Sequence, residues 1–183
     1  MIVAQQFPAP FPPQPEVHLA PITIAVDTRE QQPFSFQGIV LGKTQYLVKQ
    51  VRKGLPTGDY SLDGYEDRIV VERKSSEDLI NSCVAGHERF EREHERMMEI
   101  LWNNDQPGLA GNGFACVVCE GSLADIYDGL MTEGRWRQAE TLLGTAASWG
   151  QKYGVPWLFA GTRRMAEVLT FRVLLKWWKE NCS

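Results

Sequence analysis

The sequence predicts an α/β domain in which helices cover a central sheet. Three observations carry that expectation. Short β-rich apolar runs alternate with segments whose apolar residues recur at helical spacing. The 183 residues suit one domain. The composition, 43% hydrophobic and 23% charged, sits close to the globular average and provides for a real core.

Six of the ten prolines fall within the first 21 residues, so residues 1–21 are predicted to form a proline-rich extended arm and residues 22–183 the folded domain. Phe7, Phe11 and Val17 give the arm apolar side chains with which to dock on its own domain or on a neighbouring subunit. Ile22-Thr-Ile-Ala-Val26 reads as a buried strand that breaks at Asp27-Thr-Arg-Glu30 and Pro33. A second strand is expected over Gln45–Val51. Leu55-Pro-Thr-Gly-Asp-Tyr60 reads as a turn feeding a strand, and Tyr65-Glu-Asp-Arg68 as the next turn. Ile69-Val-Val-Glu-Arg-Lys74 is the best central-strand candidate.

Ser75-Ser76-Glu77-Asp78 supplies N-cap chemistry. Leu79, Ile80, Cys83, Phe90, Met97, Ile100 and Leu101 then recur at helical spacing, predicting one helix to about Trp102, or two separated near Gly86. A flexible loop is expected over residues 103–113. Phe114–Glu120 reads as a buried strand ending at Gly121. Helices are expected over 123–130 and 135–153, the latter stopped by Gly154. A last strand over Val155–Phe159 precedes a last helix over Arg164–Glu180.

Several classes are excluded at this level. No apolar run approaches the length needed to cross a membrane. The first residues lack the basic and apolar regions of a secretory signal. Four cysteines are too few for a disulfide scaffold, so a reducing compartment is expected. The formal net charge of -4 speaks, taken alone, against a nucleic-acid partner.

Chemistry concentrates in Glu72-Arg73-Lys74. On a strand, side chains alternate faces, so Glu72 and Lys74 point one way and Arg73 the other. A carboxylate beside an ammonium at a strand end suits metal-assisted phosphodiester cleavage. The carboxylate would hold a hard cation and the lysine would position water or stabilise phosphate charge. A second carboxylate is needed, and Asp59 lies 13 residues upstream, where a hairpin would bring it beside Glu72. This D…ExK spacing alone also fits a surface ion pair on a strand.

Further elements follow in order: Asp27-x-Arg29-Glu30, Gly58-Asp59-Tyr60, Glu72-Arg73-Lys74, Asp78-Leu79, Ser82, Arg89-Phe90, Glu93 and Val117-Val118-Cys119-Glu120-Gly121. This set resembles the nuclease domain of the XPF family of structure-specific endonucleases over roughly residues 22–178. Its GDx(n)ERKx(3)D signature stands here as Gly58-Asp59, Glu72-Arg73-Lys74 and Asp78. The resemblance implies a restriction-endonuclease-like (PD-(D/E)xK) fold, a mixed central sheet flanked by helices. It implies Mg²⁺, with Mn²⁺ able to substitute, held by Asp59, Glu72 and the carbonyl of Arg73, and Lys74 as the catalytic lysine. Arg73 would support the site from the other strand face. Asp27 and Glu30 match a further acidic motif that binds metal through water or holds Lys74.

The implied activity is endonucleolytic cleavage of DNA near branches or flaps, in repair, recombination or phage DNA metabolism. The implied partners are DNA, a second copy of the chain, and a helicase or other repair protein, with no membrane. The expected location is cytoplasmic in a bacterial or phage-infected cell, or nuclear in a eukaryote. A non-catalytic DNA-binding or scaffolding subunit is the alternative from another class, and a Holliday-junction-resolvase-like nuclease shares the chemistry but not the target. The tandem helix-hairpin-helix and helicase domains of many relatives have no counterpart in these 183 residues, which leaves selectivity for branched DNA open.

Arg29, Arg89, Arg135 and Arg137 are the DNA-contact candidates. Arg89, Arg92 and Arg96 share a helix face but alternate with glutamates that would pair with them. Arg135-Trp136-Arg137 places an aromatic ring between two cations. Cys116 and Cys119 point to opposite faces of a strand, which speaks against a zinc or redox pair. His87 and His94 share a helix face. Trp177-Trp178 leaves one ring to point outward, a hint of a dimer contact.

Overall fold

The computed structural model describes residues 14–102 and 113–182. Most of the proline-rich arm and almost all of the loop expected over 103–113 lie outside these residues. The elements run β1 (Glu16–Asp27), β2 (Ile39–Leu41), β3 (Thr44–Lys53), β4 (Tyr60–Leu62), β5 (Ile69–Lys74), α1 (Ser76–Val84), α2 (His87–Trp102), β6 (Phe114–Cys119), α3 (Leu123–Thr132), α4 (Trp136–Tyr153), β7 (Trp157–Phe159) and α5 (Arg163–Asn181). The strands form one mixed sheet in the order β2-β3-β1-β4-β5-β6-β7. β1 runs parallel to β3 and antiparallel to β4, β4 antiparallel to β5, and β5, β6 and β7 are mutually parallel. This is the expected mixed sheet flanked by helices.

Two departures have local causes. β1 begins at Glu16, so the last residues assigned to the arm belong to the sheet. Pro21 lies where the β1–β3 register shifts between Leu19 and Thr23, which is where a residue without an N–H is tolerated. β2 has three residues and one buried side chain, Ile39, too little for a sequence pattern. The helical run after β5 does break at Ala85-Gly86, giving two helices. Ser75 caps α1 by accepting from the Asp78 amide, and Gly154, at a φ of 67°, closes α4 in the left-handed region.

The period of two along β5 divides the core. Ile69 and Val71 join Ile24, Val26, Cys116 and Val118 on the face covered by α5 through Phe171, Leu174 and Trp177. Val70 joins Ala115, Val117 and Cys119 on the opposite face, under Leu79, Phe90, Met97 and Trp149. The two cysteines of β6 thus face opposite cores as buried free thiols. Trp177 is buried and Trp178 packs partly buried against the same core.

His94 sits fully buried among the rings of Phe90, Trp149, Tyr153 and Trp157. Its Nδ1 donates to the Phe90 carbonyl at 2.9 Å and its Nε2 accepts from Trp157 Nε1 at 2.8 Å. Both nitrogens are used and the ring is neutral. His87 stacks edge-on against Trp149. His94 lies within the core, and the half-buried His87 packs at its edge.

Burial lowers the His94 pKa to about 4. The unfolded chain therefore binds a proton between about pH 6.5 and 4 that the folded chain refuses, so stability falls with pH over that window. The loss should reach roughly 3 kcal/mol below pH 4. Urea unfolding of the wild type and of His94→Gln at pH 4 to 7 checks this: the wild type should lose that much more than the variant. Equal pH slopes would refute the assignment.

Candidate active site

The hairpin that the sequence requires is present. β4 pairs antiparallel with β5 with Tyr60 opposite Val71, and the Asp59 amide donates to the Val71 carbonyl at 3.0 Å. Gly58 makes this entry possible. Its φ is 71°, and a Cβ there would stand 2.2 Å from Val70 Cγ2 and 3.2 Å from the Val71 carbonyl oxygen. Asp59 is then fixed twice: its carbonyl accepts from the Asp27 amide at 2.9 Å, and its Oδ2 accepts from the Arg73 amide at 2.7 Å.

Asp59 and Glu72 face the same cavity of about 1020 Å³, which is also lined by Arg29, Glu30, Arg73, Lys74, Ser75, Asp78 and Arg89. Loss of solvent and the neighbouring Glu72 charge push the Asp59 carboxyl well above its ordinary pKa. Burial raises Glu72 as well, against the pull of Lys74. Asp59 and Glu72 share this poorly solvated cavity and disfavour one another's charge, and a cation placed between them would relieve that repulsion. Hard divalent metals fit this donor set, because two carboxylates and retained waters satisfy Mg²⁺. No group of three or more His, Cys, Asp or Glu side chains gathers into a metal cage among the described residues.

Lys74 lies on the Glu72 face, as the strand period requires. Its Nζ is 2.5 Å from Glu72 Oε1, 3.3 Å from Glu93 Oε2 and 4.8 Å from the centre of the Phe90 ring. Burial alone would lower its pKa, but the two carboxylates outweigh that and hold it above the ordinary lysine value. Lys74 is a fixed ammonium. Glu93, already part of the ordered motif set, reaches Lys74 from α2, 19 residues further along the chain, a pairing that strand reasoning alone did not give.

On the other face, Arg73 Nε donates to Glu120 at 2.6 Å, and its Nη1 meets Glu30 at 3.3 Å over the Phe34 ring. Arg163, opening α5, shares Glu120 at 2.6 Å and caps the same ring. Arg73 thus engages Glu120 and Glu30 rather than Glu72. Asp27 and Glu30 do not hold Lys74. Asp27 is 1% exposed and accepts from the Leu55 and Arg29 amides and from the Arg29 guanidinium. Burial pushes its pKa up, and these bonds outweigh that and lower it. Glu30 serves Arg73 and the Gln32 amide, because the strand period sends Lys74 away from it.

The four DNA-contact candidates divide. Arg29 and Arg89 line the cavity. Arg29 is pre-ordered by Asp27 and the Leu55 carbonyl while its side chain stays 68% exposed. Arg135 lines a separate cavity of about 350 Å³ and bonds Gln138 and Glu133, and Arg137 lies 5.2 Å from the Trp136 ring. Ser75 caps α1 by accepting from the Asp78 amide and donates its hydroxyl to the Asp78 carboxylate, so the last acid of the signature steadies the cap of a helix beside the cavity.

A family model described as the ERCC4 domain matches residues 26–170. Among solved structures, XPF from Aeropyrum pernix in complex with DNA shares the fold at a TM-score of 0.58 and 23% identity, covering 87% of this chain. A second structure of Aeropyrum pernix XPF matches at a TM-score of 0.56 and 22% identity, covering 86%. The chain spans 66% and 65% of the length of those two proteins. No curated protein sequence matches.

Asn at position 59 would keep the acceptor for the Arg73 amide and remove the repulsion with Glu72. Asp59→Asn is therefore expected to raise stability in EDTA, by about 1 kcal/mol, and to abolish stabilisation by Mn²⁺. Urea unfolding with and without metal measures both. A destabilised variant that still responds to Mn²⁺ would count against the paired-carboxylate site.

Proposed function

This chain belongs to the ERCC4 domain family as an XPF-type nuclease domain, and from that premise we propose that it is a divalent-metal-dependent DNA endonuclease. The observation that carries the reading is the Asp59–Glu72 pair beside a buried, charged Lys74, in an open polar cavity rimmed by Arg29 and Arg89. Asp59 and Glu72, with the carbonyl of Arg73, would hold Mg²⁺ or Mn²⁺. The metal, when bound, supplies an activated water and neutralises phosphate charge.

The chain's own residues do the rest. Lys74 keeps its proton, so its part is to donate hydrogen bonds and charge to the phosphate or the attacking water rather than to accept a proton. Arg29 presents its guanidinium to the backbone flanking the scissile bond, and Arg89 does the same from α2. Arg73, Glu120 and Glu30 keep β5 in register. The likeness to a protein solved with DNA supports DNA as the substrate, and a branched or flap duplex is the form the motif resemblance implies. A homodimer, a helicase or other repair partner and a role in repair, recombination or phage DNA metabolism complete the reading.

Cleavage of flap, splayed-arm, fork and linear duplex DNA in Mg²⁺, Mn²⁺ and EDTA tests it. Metal should be required, and Glu72→Gln or Lys74→Ala should slow cutting at least about 10²-fold while DNA binding persists. Absence of cutting on every substrate, or unchanged rates in both variants, would sink the proposal. Arg29→Ala and Arg89→Ala should each weaken DNA binding and reduce the salt dependence by about one counterion, read by fluorescence anisotropy across a salt series. Unchanged salt slopes in both would place the DNA path elsewhere.

A further inference from the structure

Glu72 has two claims on it: it faces Asp59 across the proposed metal site and it holds the Lys74 ammonium at 2.5 Å. A cation that shares the Glu72 carboxylate repels that ammonium and weakens its bond. A lysine with four rotatable bonds and no other counter-charge would swing out of the site. Resting on the metal reading above, we propose that Glu93 is the positioning residue that holds Lys74 in place while Glu72 serves the metal.

The placement of Glu93 suits that part. It reaches Lys74 from α2 at 3.3 Å, so strand and helix clasp the ammonium from two sides. Phe90, one turn earlier, lies under the ammonium at 4.8 Å from its ring centre and gives it a third support. The turn of α2 that carries Phe90 and Glu93 is anchored by His94, which bonds Phe90 on one side and Trp157 of β7 on the other. Neighbouring acids are used otherwise: Glu88 pairs with Arg92 on the same helix and Glu91 with Lys152 and Tyr153 of α4. Glu93 turns to a strand lysine instead, and among the described residues it does not gather with two further acids, histidines or cysteines into a metal cage. Its effect on the metal runs through Lys74.

The experiment uses the full chain with Glu93→Ala and Glu93→Gln, each with Lys74 intact and with Lys74→Ala. Mn²⁺ affinity is read by isothermal titration calorimetry, without DNA, and cleavage by steady-state kinetics. Glu93→Ala should weaken Mn²⁺ binding roughly tenfold, the size usual for residues that orient a ligand from behind. It should lower kcat with KM for DNA unchanged. Glu93→Gln keeps an acceptor for the ammonium and should stay within about twofold of the wild type on the same scale. With Lys74→Ala the difference between Ala and Gln at position 93 should vanish. Equal losses for Ala and Gln in both backgrounds would show that only the acidic charge matters and overturn the proposal, as would no change in either. Failure of the unaltered protein to bind Mn²⁺ overturns the metal reading as well, whereas Mn²⁺ binding without coupling between positions 93 and 74 overturns this inference alone.

Discussion

Three consecutive charges buried at the end of one central strand set the terms for the rest of the molecule. Glu72, Arg73 and Lys74 are each nearly closed off from solvent, with side chains 9%, 8% and 9% exposed. Charge buried in this way is tolerated only where partners and hydrogen bonds meet it. The strand period sends these groups to both faces, so compensation must come from both sides of the sheet. Glu30 and Glu120 answer Arg73, and Glu93 answers Lys74 together with Glu72. The partners come from the turn after β1, the residue after β6 and the second turn of α2, which ties three distant segments to one strand.

Aromatic rings complete each face. Phe34, Phe36 and Tyr60 pack together beneath Arg73 and Arg163, with the Tyr60 hydroxyl accepting from the Phe34 amide at 2.8 Å. Phe90, His94, Trp149 and Trp157 do the same behind Lys74. A ring face attracts a cation and excludes water, so these clusters strengthen the ion pairs they border. Asp59 is the exception to compensation. It receives one backbone donor, and burial together with the neighbouring Glu72 charge disfavours its ionised form.

The net charge of -4 acquires a different meaning in this setting. Asp27, Glu30, Glu72, Glu93 and Glu120 are engaged by arginine, lysine or backbone donors inside the fold. Arg29 and Arg89 line the cavity with Arg73 and Lys74, alongside Glu30, Asp59, Glu72, Glu77 and Asp78. Overall charge governs solubility, whereas the local sign at the cavity governs which polyanion can enter.

The sequence by itself determined the strand that carries the chemistry, the opposite facing of Arg73 and Lys74, the hairpin that returns Asp59 and the break near Gly86. Each depends on local rules: the period of two, a glycine at positive φ, a cap. It determined the mixed sheet through the ordered motifs rather than through periodicity, since β2 and β7 are too short to show one. Only the tertiary structure decided the partners. Asp27 and Glu30 were legible as acids near the site, but not that Arg29, Leu55 and Arg73 engage them. Glu93 was legible as a member of the ordered motif set, but not its pairing with Lys74, because ion-pair choice across 19 residues is fixed by how α2 packs on the sheet. Arg135 was separated from Arg89 for the same reason: both are exposed cations in sequence, and only the packing of α4 puts one on a different cavity. Periodicity and caps act within a few residues, whereas charge compensation acts through space.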